Sequence, residues 1–503
     1  MESLAGDNQR DLGELSCDSL VPGINGNAFS FGVGEGRKTF ALVESKKPLS
    51  SIWAGDFSII LWVSTKSMHK EYEVLASNKI WNNGYVKDYT TNAAFGISRT
   101  SGSNKGWAII SQPDGSWAWN IGDGKHRLDY RPTAPRQQIN DGMWHQIAFS
   151  ISRFTNEAYL YFDGINVAIY NIKGFGDLGN ENTVSLATDI LAESDAPSFQ
   201  GALDEFKVYD RTLNAQEMAE TYSKLVPAAK LPELFVEPVK SLNLMAWNIW
   251  HGGRRHGREI GPKQVIDFIK NTGADIVMMQ ETYGSGALIA DALGYYFYLA
   301  STNISVISKY PILSTKAPYD AFRLGMTTIE LSKGQKINLA SLWIHYLPAW
   351  QEDVQAHDAT PEKIVLGEEA TRHREIKEIL ELVRPEIIGA NRIPLIIGGD
   401  FNSPSFRDWT EETKEWHNNM IIEWPVSKEM AEAGFKDSFR EVRPNLEYKA
   451  RTMSAKSLTN RIDYIYFKGK QLRAVDSDMH FQFKGAWPSD HPAITTTFAI
   501  ESE

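Results

Sequence analysis

The sequence predicts two domains of different fold class, an all-β sandwich followed by a mixed α/β domain. The chain has 503 residues, more than one hydrophobic core usually spans. Alternating and β-branched runs fill residues 27–210, whereas strand-like and helix-like patterns are mixed after residue 240. Between these regions lies VPAAKLPELFVEPVK, whose prolines are typical of a linker. The predicted organisation is a polar segment 1–26, a β-sandwich 27–225, a linker 226–240 and an enzyme-like domain 241–503.

Composition argues against several classes of function. Hydrophobic residues make up 42% of the chain and charged residues 23%, which is ordinary for soluble globular proteins. The formal net charge of −11 argues against a protein that coats nucleic acid through its overall field. Cys17 is the only cysteine, so neither an internal disulfide nor a cysteine-based zinc site is possible. No run approaches the ~20 apolar residues of a membrane span. The start lacks an apolar signal region, which fits a cytosolic protein or one whose signal peptide has been removed.

Strand signals dominate the predicted β-sandwich. The runs DFSIILWVSTKS, MWHQIAFSISRF and EAYLYFDGINVAIYNI alternate or are rich in β-branched residues. Asp-Gly pairs at 114–115, 141–142 and 163–164 predict turns between strands. A short helix, LNAQEMAETYSKL, is predicted to close the domain.

Helix and strand patterns are mixed in the second domain. The predicted strands are SLNLMAWNIW, ADIVMMQET, IPLIIGGDF, RIDYIYFKG and HPAITTTFAI. GPKQVIDFIKNTG and TRHREIKEILELV place apolar residues on one helical face, and a glycine ends the first of them. This mixture predicts an α/β or α+β enzyme domain.

Polar side chains recur where these apolar strands end. The stretch LIIGGDFNSPS ends a buried strand with Asp400 and Asn402, whose side chains point the same way in an extended chain. A single strand-end acid is more often a turn residue than a ligand, so the joint appearance of many carries the prediction. The set comprises Asn248, Glu281, His345, Asp400, Asn402, Asp463, Asp490 and His491.

The donor types in this set predict chemistry on a phosphate ester. Carboxylates and amides are hard oxygen ligands, which suit Mg²⁺ or Mn²⁺ better than zinc. Hydrolysis of a phosphate ester needs a cation against the nonbridging oxygens, an oriented water and help for the leaving alkoxide. The two histidines can transfer protons or stabilise charge.

The ordered set resembles the endonuclease/exonuclease/phosphatase superfamily. GGDFNS and SDHPA carry the resemblance in combination, and it extends over residues 241–500. The superfamily includes pancreatic-type deoxyribonucleases, abasic-site endonucleases, neutral sphingomyelinases and inositol polyphosphate 5-phosphatases. The resemblance implies a four-layer, DNase-like α/β sandwich with the site at one end of two packed sheets.

The resemblance also implies roles for the acids and amides. Glu281 looks like the main metal ligand, with Asn248 and Asp490 nearby. Asp400 and Asn402 would position the attacking water, a second ion or the phosphate.

Two histidines complete the implied site. His491 would act as general base or contact the phosphate, oriented by Asp463, because a carboxylate partner fixes the ring tautomer and raises the pKa of such a histidine. His345 would bind a phosphate oxygen or assist the leaving group. The general base could be Asp400 or His491, and His491 with Asp463 is favoured.

Residues outside this set bear on the choice of substrate. NIWHGGRRHGRE makes a basic, glycine-hinged loop in which His251 and Arg254 are candidates for anion recognition, with an ordinary solvated loop as the equal alternative. In the long connection HYLPAWQEDVQAHDATPEKIVLGEEATRHR, Tyr346 and Arg372 are candidates for a pocket wall. The acidic balance of this connection does not suit a DNA groove.

The first domain resembles the laminin G-like, concanavalin-like lectin domain over residues 27–225. EAYLYFDGINVA and FQGALDEFKVYDRTL carry the resemblance, which implies a two-sheet jelly roll. Such modules often bind glycans, sometimes with Ca²⁺. Asp204 and Glu205 could ligate Ca²⁺ or simply hold a turn, and a packing module without a ligand is an equal alternative. Modules of this kind on similar hydrolases usually work outside the cytoplasm, which predicts a periplasmic or extracellular location.

Together these observations predict an exported phosphodiesterase that depends on Mg²⁺ or Mn²⁺. Its substrate would be a phosphate ester linked to a glycan, a lipid or a small molecule, and the lectin-like domain would hold it near a glycan. The first alternative is a secreted nonspecific nuclease. The second is a carbohydrate-binding or adhesion protein whose second domain is not catalytic.

Overall fold

A computed structural model provides the structure of the protein. It describes residues 12–16, 19–32, 39–43, 49–68, 71–81, 96–97, 104–192, 198–228, 231–232, 235–446, 461–484 and 486–501. Residues 1–11 and Cys17 lie outside these ranges. The chain divides into two compact units, residues 1–233 and 234–503, and the division falls within the proline-rich stretch. In the described ranges, no helix has both the length and the apolar character that crossing a membrane requires.

The first unit is built almost entirely of strands. They are β1 Leu12–Ser16, β2 Ser19–Pro22, β3 Asn27–Phe31, β4 Phe40–Val43, β5 Phe57–Ser64, β6 Glu73–Ser77, β7 Gly96–Ile97, β8 Gly106–Ser111, β9 Trp117–Gly122, β10 His126–Tyr130, β11 His145–Ser152, β12 Glu157–Phe162, β13 Ile165–Asn171, β14 Val184–Leu186 and β15 Gly201–Tyr209. The helices are α1 Ser50–Trp53, α2 Ala134–Gln137 and α3 Ala215–Leu225.

Two sheets of antiparallel strands face each other in the first unit. Among its described residues, one sheet has the order β1-β4-β14-β6-β8-β9-β10-β7 and the other the order β2-β3-β15-β5-β11-β12-β13. Trp107 and Trp119 of the first sheet each contact Phe149 of the second, with ring centroids 5.7 Å apart. This aromatic core between two sheets confirms the predicted β-sandwich.

The Asp-Gly pair at 163–164 forms the turn that its sequence predicts. It is the two-residue loop between β12 and β13. Asp163 and Gly164 have φ values of +49° and +76°, and two successive positive φ values define the type I′ hairpin turn. Aspartate followed by glycine tolerates this conformation, which explains the prediction's success here.

His145 contacts the aspartates of two Asp-Gly pairs, 141–142 and 163–164. These contacts should make the stability of the first unit depend on pH. Its Nδ1 lies 2.8 Å from Asp163 Oδ2, and its Nε2 lies 3.1 Å from Asp141 Oδ1. Burial opposes a charged ring, but the hydrogen bonds and charges of the two carboxylates outweigh it and raise the pKa of His145. A raised folded-state pKa stabilises the fold fully below the unfolded-state pKa, and this stabilisation disappears as pH rises through the folded-state value.

We therefore expect the wild type to be more stable than His145→Gln at mildly acidic pH, and the advantage to shrink as pH rises above the ordinary histidine pKa of 6.5. The measurement is urea unfolding of both proteins from pH 5 to pH 9, followed by tryptophan fluorescence. A stability difference that does not change over this range would contradict the expectation.

The second unit mixes strands and helices. The strands are β16 Ser241–Asn248, β17 Ile276–Gln280, β18 Tyr296–Leu299, β19 Ser305–Ser308, β20 Ile312–Lys316, β21 Leu324–Ser332, β22 Gln335–Trp343, β23 Leu395–Asp400, β24 Lys436–Asp437, β25 Asp463–Lys468, β26 Leu472–His480 and β27 Ala493–Ile500. The helices are α4 Trp250–Gly253, α5 Ile260–Thr272, α6 Gly286–Leu293, α7 Trp350–Asp353, α8 Pro361–Glu368, α9 Arg374–Leu382, α10 Arg384–Gly389, α11 Pro425–Glu432 and α12 Ser438–Val442. A π-helical turn, Glu369–His373, joins α8 to α9, and Lys414–Trp416 is a 3₁₀ turn.

Two sheets also pack face to face in the second unit. Among its described residues, their orders are β18-β19-β17-β16-β27-β26 and β20-β21-β22-β23-β25-β24. The pairs β16–β17 and β22–β23 are parallel, and they pack on each other across the interface. A Cβ at Gly398 would lie 2.4 Å from Met278 Cε, and one at Gly399 would lie 2.1 Å from Leu342 O. The two glycines before Asp400 therefore let β23 approach both the other sheet and its own neighbour.

Helices cover the outer faces of both sheets. Phe268 of α5 meets Trp247 of β16 edge-on, with ring centroids 5.2 Å apart. Ile376 and Ile379 of α9 are buried against Leu395 and other residues of the second sheet. The order helix, sheet, sheet, helix confirms the predicted four-layer α/β sandwich.

Candidate active site

Strand pairing brings the polar strand ends of the second unit together. Parallel pairing places Asn248 opposite Gln280 at the ends of β16 and β17, and Trp343 opposite Asp400 at the ends of β22 and β23. β25 runs antiparallel to β23, so its first residue, Asp463, lies opposite Asp400. The ends of parallel strands share one edge of a sheet, and an antiparallel neighbour starts at that edge.

Glu281 occupies a strained backbone position directly after β17. Its φ of +56° is a left-handed conformation, which costs a residue with a side chain about 1–2 kcal/mol. Its N–H donates to Asn303 Oδ1 at 2.8 Å, and Asn248 Nδ2 donates to its Oε1 at 3.1 Å. Asn248, at the end of β16, therefore holds the Glu281 carboxylate, while Asn303 holds the Glu281 backbone.

A left-handed turn holds the other oxygen of Glu281. All residues of α4, Trp250–Gly253, have φ values between +47° and +75°. In this conformation the His251 N–H donates to Glu281 Oε2 at 3.1 Å, and the Gly252 N–H donates to Glu281 O at 2.6 Å. A Cβ at Gly252 would lie 3.0 Å from Thr282 O, so the turn requires glycine there. The glycines of the predicted hinged loop thus orient the predicted metal ligand.

Asp400 is buried and accepts two hydrogen bonds. Asn248 Nδ2 donates to its Oδ2 at 3.2 Å, and the Asn402 N–H donates to its Oδ1 at 2.9 Å. Asn402 has a φ of +48°, and its Nδ2 donates to Ile344 O at 2.9 Å. One amide nitrogen, that of Asn248, therefore bridges the carboxylates of Asp400 and Glu281, while Asn402 fixes the turn after β23.

His491 lies among three carboxylates. Its Nδ1 is 2.9 Å from Asp463 Oδ2, and its Nε2 is 3.9 Å from Asp400 Oδ2 and 4.0 Å from Asp490 Oδ1. The bond to Asp463 orients the ring and leaves Nε2 facing Asp400. Within the part of the chain that the structure describes, Asp400, Asp463 and His491 form the one group of three acidic or histidine residues whose potential ligand atoms all lie within 4.8 Å of one another.

The backbone around His491 is anchored to the end of β16. Ser489 Oγ donates to Asn248 O at 2.6 Å and accepts from the His491 N–H at 3.0 Å. The indole N–H groups of Trp247 and Trp487 both donate to His491 O, at 3.2 and 2.7 Å. These bonds give the His491 ring a fixed place relative to Asn248.

Burial and charge set the protonation of this cluster. Burial raises the pKa of the Asp400 carboxyl above its ordinary value, and the neighbouring Asp463 carboxylate raises it further. Burial alone would lower the pKa of His491, but Asp463 and Asp400 outweigh it and hold that pKa well above the ordinary histidine value. The site therefore gathers more acids than the single imidazolium can balance, an excess that a divalent cation would neutralise.

The donor atoms fit a hard divalent cation. Of the predicted ligands, Glu281 and Asp490 offer carboxylate oxygens, the donors that Mg²⁺ and Mn²⁺ prefer. Asn248 Oδ1 accepts the Trp250 N–H at 3.0 Å while its Nδ2 donates to Glu281 and Asp400, so Asn248 orients the carboxylates here and does not present an oxygen to the site. Asp490 Oδ1 is buried and has no hydrogen-bond partner among the described residues, and a cation would satisfy it. The tightest group of donor atoms instead includes Asp463 and His491, so the structure adds a second possible arrangement to the predicted one.

His345 begins the long connection after β22. Its N–H donates to Glu375 Oε2 at 2.9 Å, and the Leu347 N–H donates to its Nδ1 at 2.9 Å, closer than the 3.2 Å contact of Nδ1 with Leu347 O. A neutral ring that accepts at Nδ1 carries its proton on Nε2. Burial and the positive charges of Arg323 and Arg372 lower the pKa of His345, which favours the neutral ring. The shorter of the two Nδ1 contacts favours the tautomer that can donate a hydrogen bond through Nε2.

The residues predicted to contact substrate have different surroundings. His251 is exposed and its ring stacks on Tyr283, with centroids 5.4 Å apart. Tyr346 is 53% exposed, and its ring lies parallel to the His345 ring at 5.4 Å. Arg254 is half-buried. His251 and Tyr346 therefore remain accessible beside the site.

Arg372 requires a correction. It is 1% exposed, and its guanidinium is paired with the fully buried Glu368 at 2.7 Å. A guanidinium enclosed in this way is not presented to a substrate, so Arg372 does not line the pocket wall that the sequence predicts. The reason is that the connection folds inward at the π-helical turn, which the sequence pattern does not reveal.

Asp204 and Glu205 of the first unit hold a turn. The Asn25 N–H donates to Asp204 Oδ2 at 3.2 Å, Asn25 Nδ2 donates to Glu205 Oε1 at 3.0 Å, and Lys207 pairs with Glu205. These contacts match the structural alternative for the two acids. The described residues of this unit contain no compact group of three acidic or histidine ligands.

The sequence did not predict the residues that bond the backbone groups of Glu281, His345 and His491. These are Asn303 behind Glu281, Glu375 behind His345, and Trp247 and Trp487 behind His491. None of them stands in a recognisable motif, because each acts through a backbone group that the sequence does not place.

Each unit is similar to a known protein family. A model of the Endonuclease/Exonuclease/phosphatase family matches residues 245–491, and a model of the Concanavalin A-like lectin/glucanases superfamily matches residues 35–219. The uncharacterized protein F14F9.5 of Caenorhabditis elegans is 28% identical over 292 residues, which cover 52% of this chain and 91% of that protein.

Solved structures are more distant. An AP endonuclease from Archaeoglobus fulgidus is 17% identical, with 52% of this chain and 100% of that chain covered and a TM-score of 0.38. TDP2 from C. elegans is 18% identical, with 57% and 82% covered and a TM-score of 0.37.

The first family match spans all eight polar residues that the sequence analysis assigns to the site, from Asn248 to His491. The second unit of this protein is therefore similar to the endonuclease/exonuclease/phosphatase family over residues 245–491, and the first unit is similar to the concanavalin A-like lectins over residues 35–219.

Proposed function

We propose that the second unit is a divalent-metal-dependent phosphoric ester hydrolase that acts on phosphodiesters. One observation carries the proposal: a single amide, that of Asn248, bonds both Glu281 and Asp400, and the Asp463–His491 pair lies beside them. Gathering acids at a buried strand end is costly, and a purely structural role would not require it. The match of residues 245–491 to the model of the Endonuclease/Exonuclease/phosphatase family supports chemistry on phosphate esters.

Each residue has a task that its surroundings suit. A divalent cation held by Glu281 and Asp490, with Asn248 orienting the Glu281 carboxylate, would neutralise the nonbridging oxygens of the phosphate. Asp400 and Asn402 would orient the attacking water. His345 would donate through Nε2 to a phosphate oxygen or to the leaving oxygen.

Two groups are placed to take the proton of the attacking water. They are the Asp400 carboxylate and His491 Nε2, which lie 3.9 Å apart. We favour His491, because Asp463 fixes its Nδ1 and would stabilise the imidazolium that forms. A bound cation would offset the carboxylate charges that raise the pKa of His491, and this would leave Nε2 unprotonated to accept the proton. In the alternative, Asp400 takes the proton and His491 donates to the phosphate.

We further propose that the enzyme works outside the cytoplasm, where the lectin-like unit holds it near a glycan. The concanavalin A-like family match supports this role. The connection 345–374 is acidic overall, which disfavours a long polyanion along that side of the site. We therefore propose a phosphate ester linked to a glycan, a lipid or a small molecule ahead of nucleic acid.

The test is hydrolysis of bis-p-nitrophenyl phosphate, p-nitrophenyl phosphate and supercoiled plasmid, in parallel, with Mg²⁺, with Mn²⁺ and with EDTA. We expect metal-dependent cleavage of the diester in preference to the monoester, and an intact plasmid. Nicked plasmid would replace the proposal by a nuclease. No hydrolysis of any of the three in either metal would favour a binding protein with a non-catalytic second unit.

A further inference from the structure

The connection after β22 presents His345 to the site on a short exposed segment. Tyr346 and Leu347, which follow it, are 53% and 45% exposed. An exposed segment of this kind is free to move unless buried contacts hold its backbone. At its start the segment is held by Asn402 Nδ2, which donates to Ile344 O at 2.9 Å, and by Glu375, which accepts the His345 N–H at 2.9 Å. Beyond His345, the position of the backbone depends on what lies beneath residues 346–348.

Beneath this segment lies a buried ion pair, Glu368–Arg372. Both side chains are enclosed, at 0% and 1% exposure. Arg372 Nε donates to Glu368 Oε2 at 2.8 Å, Nη2 lies 2.7 Å from the same oxygen, and Nη1 donates to Pro348 O at 2.9 Å. The buried guanidinium of Arg372 is thus hydrogen-bonded to the backbone of the exposed segment.

The same pair also reaches the turn after β23. Ser403 Oγ donates to the second oxygen of Glu368, Oε1. Ser403 directly follows Asn402, and its carbonyl accepts the Tyr464 hydroxyl at 3.0 Å. One ion pair therefore connects the backbone that carries His345 to the backbone that carries Asp400 and Asn402.

Stability alone is a weak reason for this arrangement. A buried ion pair is often no more stabilising than apolar residues of the same size, because two charges lose their hydration. Arg372 also lies on the π-helical turn Glu369–His373, an insertion into the helix that re-aims its side chains and is frequent at functional sites. The buried ion pair and the π-helical turn are both explained if the pair sets the distance between the segment that carries His345 and the turn that carries Asp400 and Asn402.

We propose that Glu368 and Arg372 are positioning residues that hold His345 at a fixed place relative to Asp400 and Asn402. The proposal rests on the proposed function, in which His345 donates to the phosphate or the leaving oxygen. Misplacing a catalytic group by about 1 Å can cost about 10²-fold in rate. Loss of the pair should therefore act on turnover, and most strongly where the leaving oxygen needs a donor.

The test compares wild type with Arg372→Met, Arg372→Lys and the double variant Glu368→Leu with Arg372→Met. The double variant leaves no uncompensated buried charge, so it separates positioning from the cost of an unpaired glutamate. Arg384→Met is the matched control. Arg384, at the start of α10, also pairs with a glutamate, Glu381, but both of these side chains are exposed. Melting temperature is measured for each protein, and rates are measured only where the protein is folded.

The substrates are methyl p-nitrophenyl phosphate and methyl phenyl phosphate, which differ in how much their leaving oxygen needs a proton donor. We expect Arg372→Met and the double variant to lose about 10²-fold in kcat on the phenyl ester and less on the nitrophenyl ester, with KM little changed. Arg372→Lys should recover part of the loss, and Arg384→Met should match wild type.

The proposal is overturned if the folded double variant keeps the wild-type kcat on both esters. It is also overturned if both esters lose the same factor, since that result indicates a general loss of active protein. Failure of the proposed function is distinct, because wild type itself would then hydrolyse neither ester in Mg²⁺ or Mn²⁺.

Discussion

His491→Ala is expected to lower kcat/KM for bis-p-nitrophenyl phosphate by about 10³-fold, within the range that a positioned acid or base contributes. The His491 ring contacts two carboxylates: Nδ1 lies 2.9 Å from Asp463 Oδ2, and Nε2 lies 3.9 Å from Asp400 Oδ2. Removing it abolishes the favoured general base, or the donor to the phosphate in the alternative mechanism. The loss should appear in kcat in either mechanism, because both tasks belong to the transition state.

The backbone of His491 stays anchored in this variant. Ser489 and the indoles of Trp247 and Trp487 bond its main-chain N–H and carbonyl, which alanine retains. We therefore expect a cooperative unfolding transition like that of the wild type, checked by circular dichroism and thermal melting.

The matched control is His126→Ala in the first unit. His126 forms the same kind of pair, with Nδ1 2.9 Å from Asp123 Oδ2, but far from any predicted site residue in the chain. It should leave turnover unchanged. Near-wild-type rates in folded His491→Ala would refute the assignment of the site.

Glu281→Gln is expected to raise the concentration of Mg²⁺ or Mn²⁺ needed for half-maximal rate by about 100-fold or more. Loss of a residue behind a metal ligand already costs about 10–100-fold in metal affinity, and Glu281 is the predicted ligand itself. The amide keeps the shape of the side chain but lacks the charge that binds a divalent cation. EDTA should abolish the activity of both proteins, and added metal should restore it.

The measurement is rate against metal concentration, supported by direct titration of the metal into the protein by calorimetry. Glu378→Gln is the control, because Glu378 is an exposed glutamate of the same unit. An unchanged metal requirement in Glu281→Gln would contradict the predicted ligand set. If Asp463→Asn alone raised the requirement, the cation would belong to the group of Asp400, Asp463 and His491.

Fold class could be predicted from the sequence because the strand pattern of the first unit and the helix and strand patterns of the second unit are local. Alternating runs and Asp-Gly pairs specify strands and tight turns within a few residues, as at Asp163 and Gly164. The helical pattern of α9 likewise shows which of its faces is buried, through Ile376 and Ile379. No long-range knowledge is needed to recognise these elements.

The composition of the candidate site could be predicted for a related reason. Acids and amides at the ends of apolar strands stand out against their neighbours, and strand pairing brings such ends to one edge. The structure places Asn248 and Asp400 as last residues of β16 and β23, and Asp463 as the first residue of β25. Their roles remain proposals until the variants are measured.

The contacts that hold these residues could not be predicted, because they join segments far apart in the chain. Asn248 bonds Asp400 across 152 positions, and Ser489 bonds the carbonyl of Asn248 across 241. The sequence made Arg372 a candidate for a pocket wall, yet it is enclosed beside Glu368. Burial of a charge depends on how a connection folds back, and no local pattern records that.

The sequence by itself determined the two fold classes and the residue types that gather at the strand ends of the second unit, because these follow from periodicity and side-chain chemistry. Only the tertiary structure decided that one amide bridges two carboxylates, that the Leu347 N–H faces His345 Nδ1, and that a buried ion pair connects two turns of the site. Those features are distances and directions between separate segments, and they exist only after two sheets have packed together.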